Sequence, residues 1–499
     1  MTISPTPRTS GILLHPSSLA GPYGIGDLGP GAYAWIDSLA RARQKWWQIL
    51  PLGPTGYGDS PYQCFSAFGG NINLLSPELL IRDGLIRPTD VAGHLFPEER
   101  VAYEKVIPFK SGMVRLAWDH YRAGQAASLR EPFESFCNER KSWLDDYALF
   151  MALKDARRGE SWHSWPPELL RREGSLRFLD FTRQELMEEV GYYQFGQFLF
   201  FRQWSALKDY AHARNVRLIG DVPIFVSPDS ADIWANPKLF LLDGALRPKV
   251  VAGVPPDYFS PTGQLWGNPL YDWGAMKAAG YQWWIQRLRA TLELVDLIRL
   301  DHFRGFCAAW HIPAGEPNAI KGHWVKGPGS DLFIHLKSAL ATLPLIAEDL
   351  GEITPDVHQL RDDFELPGMK VLQFAFDGPY NPFLPHNYQN THWVAYSGTH
   401  DNDTSAGWYA TLPEHPKGLL KRYLGRDSGD ISWDLLRMAW SSVAAWAIAP
   451  LQDVLSLGTE ARMNWPGRAD GNWQWRLPQG AFTEQHIGKL ADLTELYAR

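Results

Sequence analysis

Leu294-Val295-Asp296-Leu297-Ile298-Arg299-Leu300-Asp301-His302-Phe303-Arg304 passes within a few residues from an apolar run to a cluster of charge. Short leucine-rich and β-branched runs read as buried strands, and charge gathered at the carboxyl end of such a strand is where an α/β barrel carries its chemistry. On an extended chain Arg299 and Asp301 share a face, so a guanidinium lies beside a carboxylate and favours its ionised form. Taken alone, the stretch fits a positioned nucleophile and a structural ion pair equally well.

Two other stretches bear on that choice. Leu343-Pro344-Leu345-Ile346-Ala347 runs into Glu348-Asp349, and Trp393-Val394-Ala395-Tyr396-Ser397-Gly398 runs into Thr399-His400-Asp401-Asn402-Asp403. Three strand-like runs ending in acid gather those acids around one mouth if the strands are parallel members of a barrel. Two carboxylates flanking an anomeric carbon are what glycosidic-bond chemistry needs, one to attack and one to protonate the leaving oxygen. The third can hold positive charge.

The rest of the chain extends the pattern in both directions. Arg8 to His15 reads as a first strand, Ala32, Trp35, Ile36 and Leu39 fall at helical spacing, and Trp46 to Leu52 reads as a second strand. This is a β-α-β unit of the kind that builds parallel sheets. The loop from Gly53 to Gln63 follows at that strand's carboxyl end and carries Ser60 and Tyr62; Tyr62 fits either a ring that stacks on sugar or a core tyrosine with its hydroxyl satisfied. Residues 76–182 lose strand alternation and read as a helical insertion between the second and third strands, with a long helix from Gly191 to Asn215 returning to the barrel. The third strand, Val216 to Pro223, contains Asp221. Residues 227–290 read as an aromatic loop and helix insertion, and within it Val250 to Trp273, with Tyr258, Phe259 and Trp266, fits either a lid or a rigid loop packed by its own rings. The fourth strand ends at Asp301, the fifth at Glu348, the sixth runs from Met369 to Phe376 into Asp377, the seventh ends at His400-Asp401, and the eighth falls within Leu451 to Leu457. Asn464, Asn472 and a last helix follow. The expected architecture is α/β: a single (β/α)8 TIM-type barrel over residues 1–499, with mainly helical insertions and no C-terminal β-sandwich.

Bulk properties narrow the partners. The chain has 499 residues, 45% hydrophobic and 21% charged, which places it among soluble globular proteins. A net charge of −7 supplies no basic face for nucleic acid or an anionic membrane, so neither is expected as a partner. Cys64, Cys137 and Cys307 are few and far apart, which argues for a reducing compartment. Met1 to Arg8 has no apolar signal region, and Met438 to Pro450 is too short to span a bilayer, so the expected location is cytoplasmic. The 23 Trp, 19 Tyr and 24 Phe suit a sugar-stacking surface but also a large core.

Beyond the three acid motifs, the chain carries Gly56-Tyr57-Gly58-Asp59-Ser60-Pro61-Tyr62-Gln63, Ile219-Gly220-Asp221-Val222-Pro223-Ile224, Gly253-Val254-Pro255-Pro256-Asp257-Tyr258-Phe259 and Gly263-Gln264-Leu265-Trp266-Gly267-Asn268-Pro269. It also carries Pro367-Gly368-Met369-Lys370-Val371-Leu372-Gln373-Phe374 and Arg462-Met463-Asn464-Trp465-Pro466-Gly467. In these motifs it resembles the amylomaltases, disproportionating 4-α-glucanotransferases of glycoside hydrolase family seventy-seven and relatives of the α-amylases. The resemblance implies α-1,4-glucans as donor and acceptor. It also implies a retaining double displacement with Asp301 as nucleophile, Glu348 as acid and base, and Asp401 as stabiliser of the transition state. Substrate contacts are expected from Ser60, Tyr62, Asp221, Tyr258, Trp266, Arg299, His302, Asp377, His400 and Asn472. A His beside an Asp without a second closely spaced His is a poor zinc pattern, and no EF-hand loop is present, so no metal and no cofactor are expected. Two alternatives stay open at this level: an α-glucan hydrolase with the same three acids, and a glucan-binding protein that has lost catalysis.

Overall fold

Parallel strands buried on both faces need near-continuous apolar sequence, and the runs that supply it form one sheet in the computed structural model, which describes residues 8–171, 182–256 and 260–499. In chain order the strands are β1 (Thr9–Leu13), β2 (Trp46–Gln48), β3 (Arg217–Pro223), β4 (Val250–Val254), β5 (Gln264–Pro269), β6 (Leu297–Asp301), β7 (Ala308–Pro313), β8 (His323–Lys326), β9 (Leu345–Ala347), β10 (Gly368–Val371), β11 (Trp393–Tyr396) and β12 (Trp446–Pro450). Eight of them pair in the order β10-β11-β12-β1-β2-β3-β6-β9, and every pairing in that sheet is parallel. This order is chain order started at β10, and the two ends meet where the Ala347 amide donates to the Pro367 carbonyl at 2.9 Å. The sheet is therefore a (β/α)8 barrel.

The helix Pro30–Arg41 makes the first crossover, burying Ala32, Trp35, Ile36 and Leu39 against the sheet. β1 and β2 then approach so closely that a Cβ on Gly11 would lie 2.3 Å from the Trp46 carbonyl oxygen, which is why glycine stands there. Inside the barrel, the buried Tyr396 hydroxyl donates to Gln48 Oε1 at 2.9 Å, so neither polar group is left unpaired. Between β2 and β3 lie the helices Tyr103–Arg122, Arg130–Glu139 and Lys141–Ala156, and Met187–His212 leads back into β3. Among the described residues no helix is long and apolar enough to cross a membrane, and all three cysteines are free.

Three placements differ from the sequence reading. The eighth barrel strand is Trp446–Pro450, whereas Leu451–Val454 is a helical turn. A short apolar run does not declare its period, and the alanines around Trp446 read as the end of the preceding helix, Ile431–Ser441. The sixth strand stops at Val371 and passes into a 3-10 turn over Leu372–Phe374. The aromatic segment 250–273 is built on β4 and β5, which join β7 and β8 in a four-stranded antiparallel sheet ordered β5-β4-β7-β8. Its alternation was hidden by Gly253, Gly267 and Pro269 and by a register shift between Val251 and Gly253.

Candidate active site

Strand register places the first two charged groups. Asp221 of β3 and Arg299 of β6 are direct cross-strand partners, so their side chains emerge side by side from the same face. Arg299 Nη1 donates to Asp221 Oδ2 at 2.7 Å and to Asp301 Oδ1 at 2.9 Å. The i, i+2 spacing thus sets guanidinium and carboxylate together, as the extended-chain reading requires. Burial works against a charge on Arg299, but Asp221 and Asp301 outweigh it and hold its pKa well above the ordinary value. Burial raises the Asp221 carboxyl, to about 7, against the pull of Arg299. Asp221 makes its bonds through Oδ2 to Arg299 and to the Tyr62 hydroxyl, 3.0 Å away. Its position holds neighbours in place.

Glu348 follows the last residue of β9. The His302 amide donates to Oε2 at 2.7 Å and the Leu350 amide to Oε1 at 3.1 Å, which fixes the plane of the carboxyl. Delivering the first of these bonds requires the turn at His302, whose φ of 54° and ψ of 50° are left-handed for a residue with a Cβ. Burial keeps the Glu348 carboxyl well above the usual range; Arg299 opposes that and the charge of Asp301 adds to it. The adjacent Asp349 is structural instead. It accepts from Arg361 Nη1 at 2.5 Å and from the Met369 amide at 2.8 Å, joining the ends of β9 and β10.

Asp401 lies beyond β11. Asn464 Nδ2 donates to its Oδ1 at 2.6 Å, and His400 Nε2 lies 3.4 Å from its Oδ2. The place deep in the mouth works against its charge, yet His400, the Asn464 amide and Arg299 together hold the carboxyl below the ordinary value. Its side chain keeps 43% of its surface open to solvent and that of Asp301 keeps 27%, so both reach the mouth, while Arg299 beneath them is sealed. Tyr62 ties the two sides together: its hydroxyl is 2.8 Å from His400 Nε2, and the two rings stack at 5.3 Å and 14°. Trp266 stands edge-on to the His302 ring at 4.8 Å and 85°. Burial, with Arg304 adding, lowers the His302 pKa to about 3, so that imidazole is neutral.

The structure therefore joins Tyr62, Asp221, Arg299, Asp301, His302, Glu348, His400, Asp401 and Trp266 into one connected group. Three expected contacts have their described partners elsewhere. Ser60 Oγ accepts from the Tyr62 amide at 3.2 Å and shapes the turn that presents Tyr62. Asp377 is exposed and accepts from Asn381 at 2.7 Å, four residues on. Asn472 accepts from the Trp465 amide at 2.8 Å and donates to the Arg468 carbonyl at 2.9 Å, fastening its own loop. Tyr258 lies outside the described residues. Sequence reasoning missed Asn464 and Arg462; the latter donates to the Asp401 carbonyl at 2.7 Å and to the Asn464 carbonyl at 2.7 Å. Their motif was visible, but nothing in it says which distant acid it holds. Among the described residues, no three side chains of His, Cys, Asp or Glu are placed to hold a metal ion.

The profile of glycoside hydrolase family 77, described as 4-alpha-glucanotransferase, matches residues 14–482. The chain is 50% identical over 501 residues to a 4-alpha-glucanotransferase of Thermus thermophilus, covering 99% of each. To that of Synechocystis it is 50% identical over 498 residues, covering 99% of this chain and 98% of the relative. Its structure superposes on an amylomaltase from Streptococcus agalactiae in complex with acarbose with a TM-score of 0.95 at 37% identity, covering 99% of both chains.

Proposed function

The chain belongs to glycoside hydrolase family 77 and has 4-alpha-glucanotransferase activity on α-1,4-glucans, and from that premise we propose that Asp301 is its nucleophile, Glu348 its acid and base, and Asp401 the stabiliser of its transition state. Asp301 attacks the anomeric carbon as Glu348 gives its proton to the departing glucan oxygen, leaving a covalent glycosyl-enzyme. Glu348, now a carboxylate, takes the proton from the 4-hydroxyl of an acceptor glucan or glucose, which displaces Asp301 and restores the starting configuration. Asp401, ionised and half open to solvent, faces the positive charge that develops on the sugar.

One observation carries this division of roles: the carboxyls beyond β9 and β11, with β10 between them, are driven in opposite directions, Glu348 toward the neutral acid by burial and Asp401 toward the carboxylate by His400 and Asn464. Pairs of acids whose surroundings separate their pKa values divide acid from charge-stabilising roles. The relative from Streptococcus agalactiae binds acarbose; binding of such glucan-like ligands by this chain would use the Tyr62 ring, Trp266 and the His302 and His400 imidazoles around the acids. The barrel is one catalytic domain, with residues 76–182 and 227–290 as insertions in it. The experiment is trapping: a 5-fluoro glycosyl fluoride should label Asp301, and label on any other side chain overturns the assignment.

A further inference from the structure

His15 follows β1, and it enters no step of the reaction. It is buried, and its Nδ1 has no hydrogen-bond partner among the described residues. Burial, with the nearness of His400 adding, lowers its pKa to about 3, so the ring is neutral, with one donor and one acceptor nitrogen. An unpaired buried nitrogen is costly, which makes its surroundings informative. It borders a cavity of about 30 Å³ lined also by His400, Thr399, Gln452, Arg462 and Met463. A water needs about 10–15 Å³ of such space and two to four polar partners, and this cavity offers both.

The hydrogen bonds on the other side of His400 constrain its protons. The Tyr62 hydroxyl has one proton, and Asp221 Oδ2, 3.0 Å away, accepts it: Oδ2 already accepts from Arg299, and a proton taken up by this carboxyl has the unpartnered Oδ1 to sit on. At the 2.8 Å contact with Tyr62 the donor is then His400 Nε2; burial lowers the His400 pKa and favours the neutral ring, against the pull of Asp401, and in the neutral ring with its proton on Nε2, Nδ1 accepts. With Nε2 spent on Tyr62 and 3.4 Å from Asp401, Nδ1 is left for the cavity.

We propose that His15 is a positioning residue: through a water held in this cavity it donates toward His400 Nδ1, fixing His400 in the tautomer that presents Nε2–H to Tyr62 at the glucan site. The proton order is His15 Nδ1–H to the water oxygen and water O–H to His400 Nδ1. Outer partners that fix the tautomer of a metal-bound histidine are worth about 10–100-fold in affinity or activity, and the same kind of orienting bond acts here on His400. The inference rests on the reading of His400 as a donor in the glucan site, and its test separates the two.

Nitrogen-15 spectra of histidine-labelled protein read the tautomer without turnover, with the His400 signals assigned by their loss in a His400→Asn variant. Wild type should show His400 protonated on Nε2. His15→Ala should shift it toward Nδ1–H and lower kcat/KM on maltotriose about 10–100-fold, whereas His15→Gln, whose amide can still donate to the water, should restore both the signal and activity to within about threefold. A wild-type His400 protonated on Nδ1 overturns the proposal. So does His15→Ala with an unmoved His400 signal, whether activity falls or holds, since a loss without a tautomer change is loosened packing. A shifted tautomer with unchanged kcat/KM would leave the relay standing and sink the role given to His400. If His15→Ala does not fold, His15→Leu, which fills the space without a donor, gives the same contrast with His15→Gln.

Discussion

Arg299→Gln is the substitution whose consequences the geometry defines most fully. One nitrogen of the guanidinium bonds two carboxylates at 2.7 and 2.9 Å, and the Asp221 side chain it serves is completely buried. Removing one partner of a buried ion pair costs about 3–5 kcal/mol, because the remaining charge is left uncompensated. That figure is the upper limit, since Asp221 can shed its charge by taking up a proton. Its folded pKa is raised, to about 7, above the roughly 3.9 of an unfolded aspartate. Ionisation therefore destabilises the folded state: the cost is absent below the unfolded pKa, grows as pH rises between the two values, and is complete above the folded one. Without Arg299 the folded value rises further, so variant and wild type bind the same proton in acid and diverge above about pH 7. The stability gap in urea unfolding should be about 1–3 kcal/mol near pH 5, from the hydrogen bonds alone, and widen toward about 3–5 kcal/mol near pH 9. Disproportionation of maltotriose should fall about 100-fold or more, the scale of losing one preorganised donor at a reacting group. A stability gap that does not widen with pH, or activity within threefold of wild type, refutes the account of Arg299 as the cation that holds both acids.

Two further outcomes follow from the site. Glu348 has its pKa raised by burial, and in the acid role proposed for it kcat/KM on maltotriose should decline as pH rises through that value; Glu348→Gln should abolish this turnover yet keep forming glycosyl-enzyme from maltosyl fluoride, whose leaving group needs no proton. Equal loss on both donors would remove Glu348 from the acid role. Trp266→Ala takes away the ring against His302 and leaves the three acids in place, so the share of free glucose released by water from maltotriose should rise more than bond cleavage falls; weaker glucan binding with an unchanged partition would make Trp266 a binding surface only.

The difference between what the chain disclosed and what it withheld follows sequence distance. Asp301 and Arg299 share a strand face two residues apart, Glu348 closes an apolar run, and His400-Asp401 closes another; each is a local pattern whose period is fixed by the extended backbone. Barrel architecture then places those strand ends around one mouth whatever lies between them. Contacts made across the closed sheet have no local signature. Asn464 meets Asp401 from 63 positions away, and His15 shares a cavity with His400 from the opposite end of the chain. Asp377 and Asn472 show the converse: a polar residue near a strand end or a late loop resembles a ligand in sequence, while its nearest partner, at 2.7 to 2.9 Å, is within its own turn. The segment 250–273 was legible as aromatic but not as a sheet, because strand pairing with β7 depends on residues some sixty positions on, and its glycines and proline suppress the alternation that would reveal it. That pairing also constrains the idea of a lid: hydrogen bonds across β5-β4-β7-β8 tie Trp266 to a sheet that includes β7, the strand after Arg304, so the ring against His302 is held by the continuation of the strand that ends at Asp301.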